Sequence, residues 1–120
     1  MRLVLISLDA VFAADAEYLL SLPHLGALAS GGVFCDRVQT IYPSLTYPIH
    51  VSLVTGAYPQ AHGIAHNEPF QPDKQPAQRA WHWDEEDIRT DTLFSQARKA
   101  GRDSAAILWP VTGHSRNIRF

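Results

Sequence analysis

Residues 3–9 read Leu-Val-Leu-Ile-Ser-Leu-Asp, a run of apolar side chains that ends on a carboxylate. A continuous apolar run of this kind is typical of a strand that is covered on both faces, as in a parallel sheet. The aspartate then lies at the carboxyl end of the strand, the edge where ligands bind in open α/β sheets. We therefore predict a buried first strand, 3–8, with Asp9 at a ligand-binding edge.

Outward from this run, the chain alternates predicted helices with predicted strands. A proline-rich stretch, 57–80, is predicted to be a long irregular loop, and such loops in compact domains are usually functional or disordered. The order of strands and helices predicts βαβ units, an α/β fold class and a parallel sheet. The predicted helices begin near Pro23, just after Thr46 and near Thr92, and the later predicted strands cover 33–39 and 104–110.

Composition narrows the possible partners and locations. The chain has 120 residues, of which 46% are hydrophobic, so we expect at most one domain with an ordinary core. Ten Lys and Arg against 12 Asp and Glu leave no basic surface for nucleic acid. The single cysteine, Cys35, cannot form an internal disulfide. We therefore predict a cytoplasmic location, and the short apolar runs predict no membrane association.

The clearest candidate for chemistry is Thr46, which precedes Tyr47 and Pro48 at the start of a predicted helix. A hydroxyl at this position lies beside backbone N–H groups and the positive end of the helix dipole, an environment that attracts phosphate. The alternative is structural, because threonine at a helix start is most often an N-cap. Spacing alone leaves both interpretations open.

Three other polar patterns have simpler explanations. His62 and His66 are four residues apart, as in a helical zinc pair, but Gly63 and the surrounding prolines argue against a helix there. His50 falls inside the predicted helix and is expected to be a hydrogen-bonded core residue. The acidic run 84–87 could bind Ca²⁺ or Mg²⁺, but a solvated turn is the simpler prediction.

Four segments in order, 6–9, 42–48, 53–59 and 62–67, resemble the N-terminal part of the type I phosphodiesterase/nucleotide pyrophosphatase family. That family belongs to the alkaline phosphatase superfamily. The resemblance extends over almost the whole chain. It implies a parallel-sheet, alkaline phosphatase-like sandwich of which only the N-terminal portion is present, so that 1–120 is part of a single catalytic domain.

The resemblance also implies roles for individual residues. Asp9 matches a zinc ligand, and Thr46 matches a nucleophile that also contacts metal. Asn67 matches the residue that stabilises a phosphoryl oxygen, and Tyr47 matches the aromatic residue that lines the leaving-group or nucleobase pocket. The implied reaction is zinc-dependent hydrolysis of the phosphodiester or pyrophosphate bond of a small phosphate ester or nucleotide through a phospho-threonine intermediate, with two Zn²⁺ in a complete site.

Only Asp9 and Thr46 match metal ligands of the family, whose other carboxylate and imidazole ligands come mostly from later sequence. We therefore expect the isolated chain to be inactive, with an apolar edge that favours a missing C-terminal segment or self-association. Two alternatives stay open. One is a phosphonoacetate hydrolase-like or phosphomutase-like relative, and the other is a truncated, non-catalytic phosphate-binding module.

Overall fold

A computed structural model describes residues 2–120 and divides the chain into two compact units, Met1–Gln39 and Thr40–Phe120. The first unit contains two helices, α1 (Ala16–Ser21) and α2 (Pro23–Gly31), after a 3₁₀ turn at Ala13–Asp15. The second contains α3 (Thr46–Thr55), α4 (Pro59–His62) and α5 (Leu93–Lys99), with 3₁₀ turns at Pro76–Gln78 and Glu85–Asp87.

In the first unit, α2 packs closely against α1. Pro23 occupies the first turn of α2, where its fixed φ suits a helix and its missing N–H costs nothing. Gly26 permits the close approach, because a Cβ at this position would lie 2.5 Å from the carbonyl oxygen of Leu20. The predicted helix near Pro23 is therefore confirmed.

The predicted strand at 3–8 does not form. These residues have no regular secondary structure, and their side chains are exposed, with Val4 at 78% and Ile6 at 75%. A run of apolar side chains favours burial of the segment. A strand also needs neighbouring strands that accept and donate its backbone hydrogen bonds. The described residues of this unit supply no such neighbour.

The later strand predictions also fail, at 33–39 and at 104–110. Within residues 2–120, the sheet pattern is limited to one isolated parallel bridge between Asp84 and Gly113. Two backbone hydrogen bonds, Ala106 to Phe120 and Arg119 to Ser104, pair short segments without extending into a ladder. The predicted parallel sheet is therefore not observed among the described residues, 2–120, for the same physical reason as at 3–8.

The helices of the second unit agree with the sequence, with corrections at their starts. Helix α3 begins at Thr46 itself, and its N-cap is Leu45 rather than Thr46. The N-cap of α5 is Thr92, whose hydroxyl accepts from the Ser95 N–H while the Ser95 hydroxyl accepts from the Thr92 N–H. The predicted loop 57–80 contains the short helix α4.

The core of the second unit lies under α3. Val51 from α3 packs with Ile64 and Val111, and all three are almost fully buried. Tyr47 and Ile88 pack against this cluster from its edge. The core therefore joins α3, the segment that follows α4, and a segment near the end of the chain.

The acidic run 84–87 contains the predicted turn, in which Glu86 and Asp87 are exposed, but Glu85 is not solvated. Glu85 is only 8% exposed, and its carboxylate accepts hydrogen bonds from Thr92, Ser115 and Asn117. A buried carboxylate is tolerated when several donors satisfy it. Glu85 thereby joins the start of α5 to the segment around Asn117.

Candidate functional site

Thr46 is the first residue of α3, at the N-terminal end where the helix dipole is positive. The chain enters the helix through Leu45, which is extended (φ −110°, ψ 153°) and accepts the Ile49 N–H at 3.1 Å through its carbonyl oxygen. Thr46 is half-buried. Its place at the helix start agrees with the sequence prediction, although it does not act as the N-cap.

Asn67 contacts the same helix end. Its side-chain Oδ1 accepts the backbone N–H of Tyr47 at 3.0 Å, so a side chain from outside the helix satisfies a first-turn amide. The two ends of a carboxamide diverge, and the NH₂ group of Asn67 therefore faces away from this N–H. The backbone of Asn67 is held as well, because its carbonyl oxygen accepts the His82 N–H at 2.8 Å.

Tyr47 meets Trp81 next to this contact. The two rings pack edge to face, with centroids 5.2 Å apart and planes at 81°. Edge-to-face packing is a favoured geometry for aromatic pairs. Trp81 remains half-exposed, so the pair presents aromatic surface beside the start of α3.

His50 lies one turn along α3 and is buried, as expected. Its Nδ1 is 2.7 Å from the carbonyl oxygen of Thr46, so Nδ1 carries the hydrogen and donates it. The imidazole ring of His50 also packs edge to face against the ring of Trp109, with the two ring centroids 5.1 Å apart. His50 thus holds the backbone of Thr46.

His62 is fully buried and does not form a helical pair with His66, because α4 ends at His62. Its Nδ1 accepts the Ile64 N–H at 3.1 Å, which places the imidazole hydrogen on Nε2. Nε2 lies 2.9 Å from Ser52 Oγ of α3 and donates to it. Burial holds the pKa of His62 below its ordinary value, so the neutral ring dominates.

Asp9 belongs to the first unit, and Thr46 belongs to the second. Its Oδ1 accepts the N–H of Ala10 at 3.1 Å, and Ala10 has a positive φ of 57°. The structure thus brings Thr46, Tyr47 and Asn67 together, and describes Asp9 within its own unit. Among residues 2–120, no group of three or more His, Cys, Asp or Glu side chains is arranged to hold a metal.

Two members of this site were not identified from the sequence. Ser52 lacks any motif, because one serine inside a helix is ordinary, and its role depends on His62 reaching it from another element. Trp81 belongs to no motif either, and its contact with Tyr47 is set by the path of the loop. For Asn67, the resemblance was the only signal.

The fold and the family can now be stated. The structure superposes on murine ectonucleotide pyrophosphatase/phosphodiesterase 5 with a TM-score of 0.66 and 28% identity, covering 86% of this chain and 30% of that one. That neighbour has an alkaline phosphatase-like fold, of which this chain matches a part. The sequence profile of the type I phosphodiesterase/nucleotide pyrophosphatase family matches residues 3–119. The chain belongs to this family and corresponds to its N-terminal part.

Individual relatives agree with this assignment. Human ectonucleotide pyrophosphatase/phosphodiesterase family member 5 is 29% identical over 99% of this chain and 26% of its own length. A mouse bis(5'-adenosyl)-triphosphatase is 34% identical over 92% of this chain and 25% of its own length. The chain therefore spans about a quarter of the length of these curated relatives.

The relatives also correct the predicted location. The names of the human and other ectonucleotide enzymes place them outside the cell, so our prediction of a cytoplasmic protein is wrong. That prediction relied on Cys35, but one cysteine excludes only an internal disulfide and does not report a compartment. No helix within residues 2–120 is both long and apolar enough to cross a bilayer.

Proposed function

We propose that this chain supplies the nucleophile and a phosphoryl-binding amide to an enzyme that hydrolyses phosphodiester or pyrophosphate bonds in nucleotide-type substrates. The observation that carries the proposal is the contact between Asn67 and the first turn of α3, directly beside Thr46. Family membership supports the reaction class. The names of the relatives, which include a bis(5'-adenosyl)-triphosphatase, support a nucleotide substrate.

Each residue has a chemical task in this proposal. The Thr46 hydroxyl releases its proton to solvent as its oxygen attacks phosphorus, and the bond from phosphorus to the leaving-group oxygen breaks so that this group departs. Water then attacks the covalent phospho-threonine intermediate, which frees the phosphoryl product and restores the hydroxyl. The first turn of α3 favours the negative charge that accumulates on the phosphoryl oxygens. The NH₂ group of Asn67 donates to one of those oxygens, and Tyr47 with Trp81 offers aromatic surface to the leaving group or nucleobase.

Zinc is part of the proposal, because a threonine hydroxyl is a weak nucleophile that must be activated. The donors that fit are the carboxylate of Asp9 and the hydroxyl of Thr46, both oxygen ligands of the kind that Zn²⁺ accepts. A bound divalent cation lowers the pKa of an oxygen ligand and polarises the phosphoryl group. Since residues 2–120 hold no cluster of three or more His, Cys, Asp or Glu ligands, these two donors alone do not make a complete site.

The first prediction concerns Thr46→Ala in the full-length natural protein that carries this sequence. We expect hydrolysis of p-nitrophenyl thymidine monophosphate to fall by about 10³-fold or more, because the covalent step is lost. Thr46→Ser keeps a hydroxyl and should retain more activity than Thr46→Ala. Release of p-nitrophenolate, followed by absorbance, measures both.

A matched control is Thr55→Val, which removes a hydroxyl from the other end of α3. Thr55 Oγ1 donates to the carbonyl oxygen of Val51 and accepts the N–H of Ala57, both in the nearby backbone. We expect this variant to hydrolyse the substrate at the wild-type rate. Wild-type hydrolysis by Thr46→Ala would contradict the assignment of the nucleophile.

The substrate class is tested separately. A panel of phosphodiesters, phosphomonoesters and phosphonates should show the highest kcat/KM for nucleotide diesters or pyrophosphates. A clear preference for phosphonates, or transfer of phosphate without hydrolysis, would instead identify a different member of the alkaline phosphatase superfamily.

A further inference from the structure

The segment from His62 to Asn67 is attached to α3 at three points. His62 Nε2 donates to Ser52 Oγ, Ile64 packs on Val51 in the core, and Asn67 Oδ1 accepts the Tyr47 N–H. These contacts run along the helix toward its N-terminal end. The position of Asn67 beside Thr46 therefore depends on contacts made further along the same segment.

His62 is the most fully buried polar residue of this segment. The ring has no exposure, and both of its nitrogens are used, Nδ1 by the Ile64 N–H and Nε2 by Ser52. Its own backbone carbonyl accepts the Arg89 N–H at 3.0 Å. The side chain and backbone of His62 thus connect three elements: α3, the segment leading to Asn67, and the segment around Arg89.

Gly63 makes this arrangement possible. Its φ is +86°, which turns the chain so that the Ile64 N–H points back to the preceding imidazole. A Cβ at Gly63 would lie 2.9 Å from the Arg89 side chain. The sequence His62-Gly63-Ile64 is therefore accounted for by geometry: an imidazole acceptor, a left-handed turn, and a buried apolar residue.

We propose that the hydrogen bond between His62 and Ser52 positions Asn67 for phosphoryl transfer, so that His62 and Ser52 are positioning residues of the reaction. The proposal rests on the function proposed above, in which Asn67 donates to the phosphoryl group. Displacement of a reacting or stabilising group by about 1 Å can reduce a rate by about 10²-fold. Loosening the attachment at Ser52 should therefore reduce the rate without removing any group that touches substrate.

The test is a double-mutant cycle between Ser52→Ala and Asn67→Ala in the full-length natural protein. Ser52→Ala alone should lower kcat about 10-fold with little change in KM, because substrate binding is retained while the transition-state contact is misplaced. Asn67→Ala alone should lower kcat by about 10²–10³-fold. The double variant should match Asn67→Ala alone, since Ser52 acts only through Asn67.

Two further variants keep the cycle interpretable. His62→Gln retains an amide donor toward Ser52, and its kcat should lie between those of wild type and Ser52→Ala. Thr55→Val deletes a hydroxyl on the same helix whose hydrogen bonds go to the backbone of Val51 and Ala57, and it should leave kcat unchanged. The proposal would be overturned if the double variant lost kcat by the product of the two single losses. It would also be overturned if Ser52→Ala had the wild-type kcat.

A second measurement is independent of activity. Hydrogen exchange of the Tyr47 amide reports the bond to Asn67 directly, and Ser52→Ala should accelerate it while Thr55→Val does not. If wild type is inactive, or Thr46→Ala stays active, the proposed function fails, and the exchange measurement still decides the positioning. Unchanged exchange in Ser52→Ala would overturn the proposal whatever the activity.

Discussion

At the scale of single residues, His62 shows how burial changes a titratable group. Its pKa lies below the ordinary histidine value because desolvation disfavours the charged ring, an effect that its backbone hydrogen bond opposes only in part. The neutral form is also the one that accepts the Ile64 N–H at Nδ1. A proton on that nitrogen would remove an acceptor that the fold uses.

The consequence is a pH-dependent stability. Above the ordinary histidine pKa of about 6.5, His62 is neutral in both the folded and unfolded chains and contributes no pH dependence. As the pH falls below about 6.5, the unfolded chain binds a proton that the folded chain does not, so the free energy of unfolding decreases. Urea denaturation between about pH 7.5 and 5 should show this decrease.

The comparison variant is His62→Gln, which removes the titrating group at this position. We expect its stability to depend less on pH over the same interval, because the group whose pKa is lowered by burial is absent. A wild-type stability that rises as the pH falls through this interval, unaltered by His62→Gln, would contradict the burial argument.

Gly63 provides a second residue-scale prediction. Gly63→Ala should destabilise the chain by about 2 kcal/mol, because alanine is strained at a left-handed φ and its Cβ would clash with the Arg89 side chain. Gly56→Ala is the matched control, with a φ of +66° and nothing within 4 Å of the added Cβ, so about 1 kcal/mol is expected. Chemical denaturation of both variants measures the difference, and equal losses would show that the Arg89 contact has no effect.

At the scale of elements, Glu85 connects the start of α5 to the segment near the end of the chain. Glu85→Ala removes the carboxylate that accepts hydrogen bonds from the side chains of Thr92, Ser115 and Asn117, so these three donors lose that acceptor. We expect a loss of about 3 kcal/mol in unfolding free energy, the cost typical of breaking a buried charged hydrogen-bond network. Glu86→Ala, at an exposed neighbour, should change stability by less than about 0.5 kcal/mol. Equal effects would contradict the structural role of Glu85.

Elements that depend on local signals were predictable from the sequence. Helix α3 is bounded by Thr46 and by Gly56, whose positive φ ends it, and α5 has a capping threonine and basic residues in its last turn. Each of these signals acts within a few residues. The predictions erred by a residue or two at the helix starts, where several residues could serve as the cap.

Strands were not predictable in the same way, because a strand is defined by its partner. The run 3–8 has the right composition, yet its stability as a strand depends on segments distant in sequence. The burial of Glu85 was missed for a related reason, since its donors Ser115 and Asn117 lie about thirty residues further along the chain. Charge alone predicted a solvated turn.

At the scale of the whole molecule, the four candidate site residues belong to two compact units, each of which is described by itself. Thr46, Tyr47 and Asn67 meet within Thr40–Phe120, whereas Asp9 lies in Met1–Gln39. The sequence resemblance identified all four residues, but the contact between Asn67 and Tyr47 could only come from the structure. A shared cation between Asp9 and Thr46 remains a prediction.

The assignment of Asp9 and Thr46 as zinc ligands is tested by measuring zinc binding and turnover of the 120-residue chain by itself. We expect no turnover with added Zn²⁺ and no tight stoichiometric zinc, because two oxygen donors are too few for a stable catalytic site. Metal analysis after gel filtration measures the stoichiometry. One tightly bound zinc per chain would contradict the ligand assignment.

The most direct test of the central claim is to trap the covalent intermediate in the full-length natural protein. Acid quenching during hydrolysis of p-nitrophenyl thymidine monophosphate, followed by peptide mass spectrometry, should find a thymidylyl group on Thr46. The same adduct should be absent in Thr46→Ala. Turnover at the normal rate with no adduct on Thr46, or with an adduct on another residue, would contradict the account.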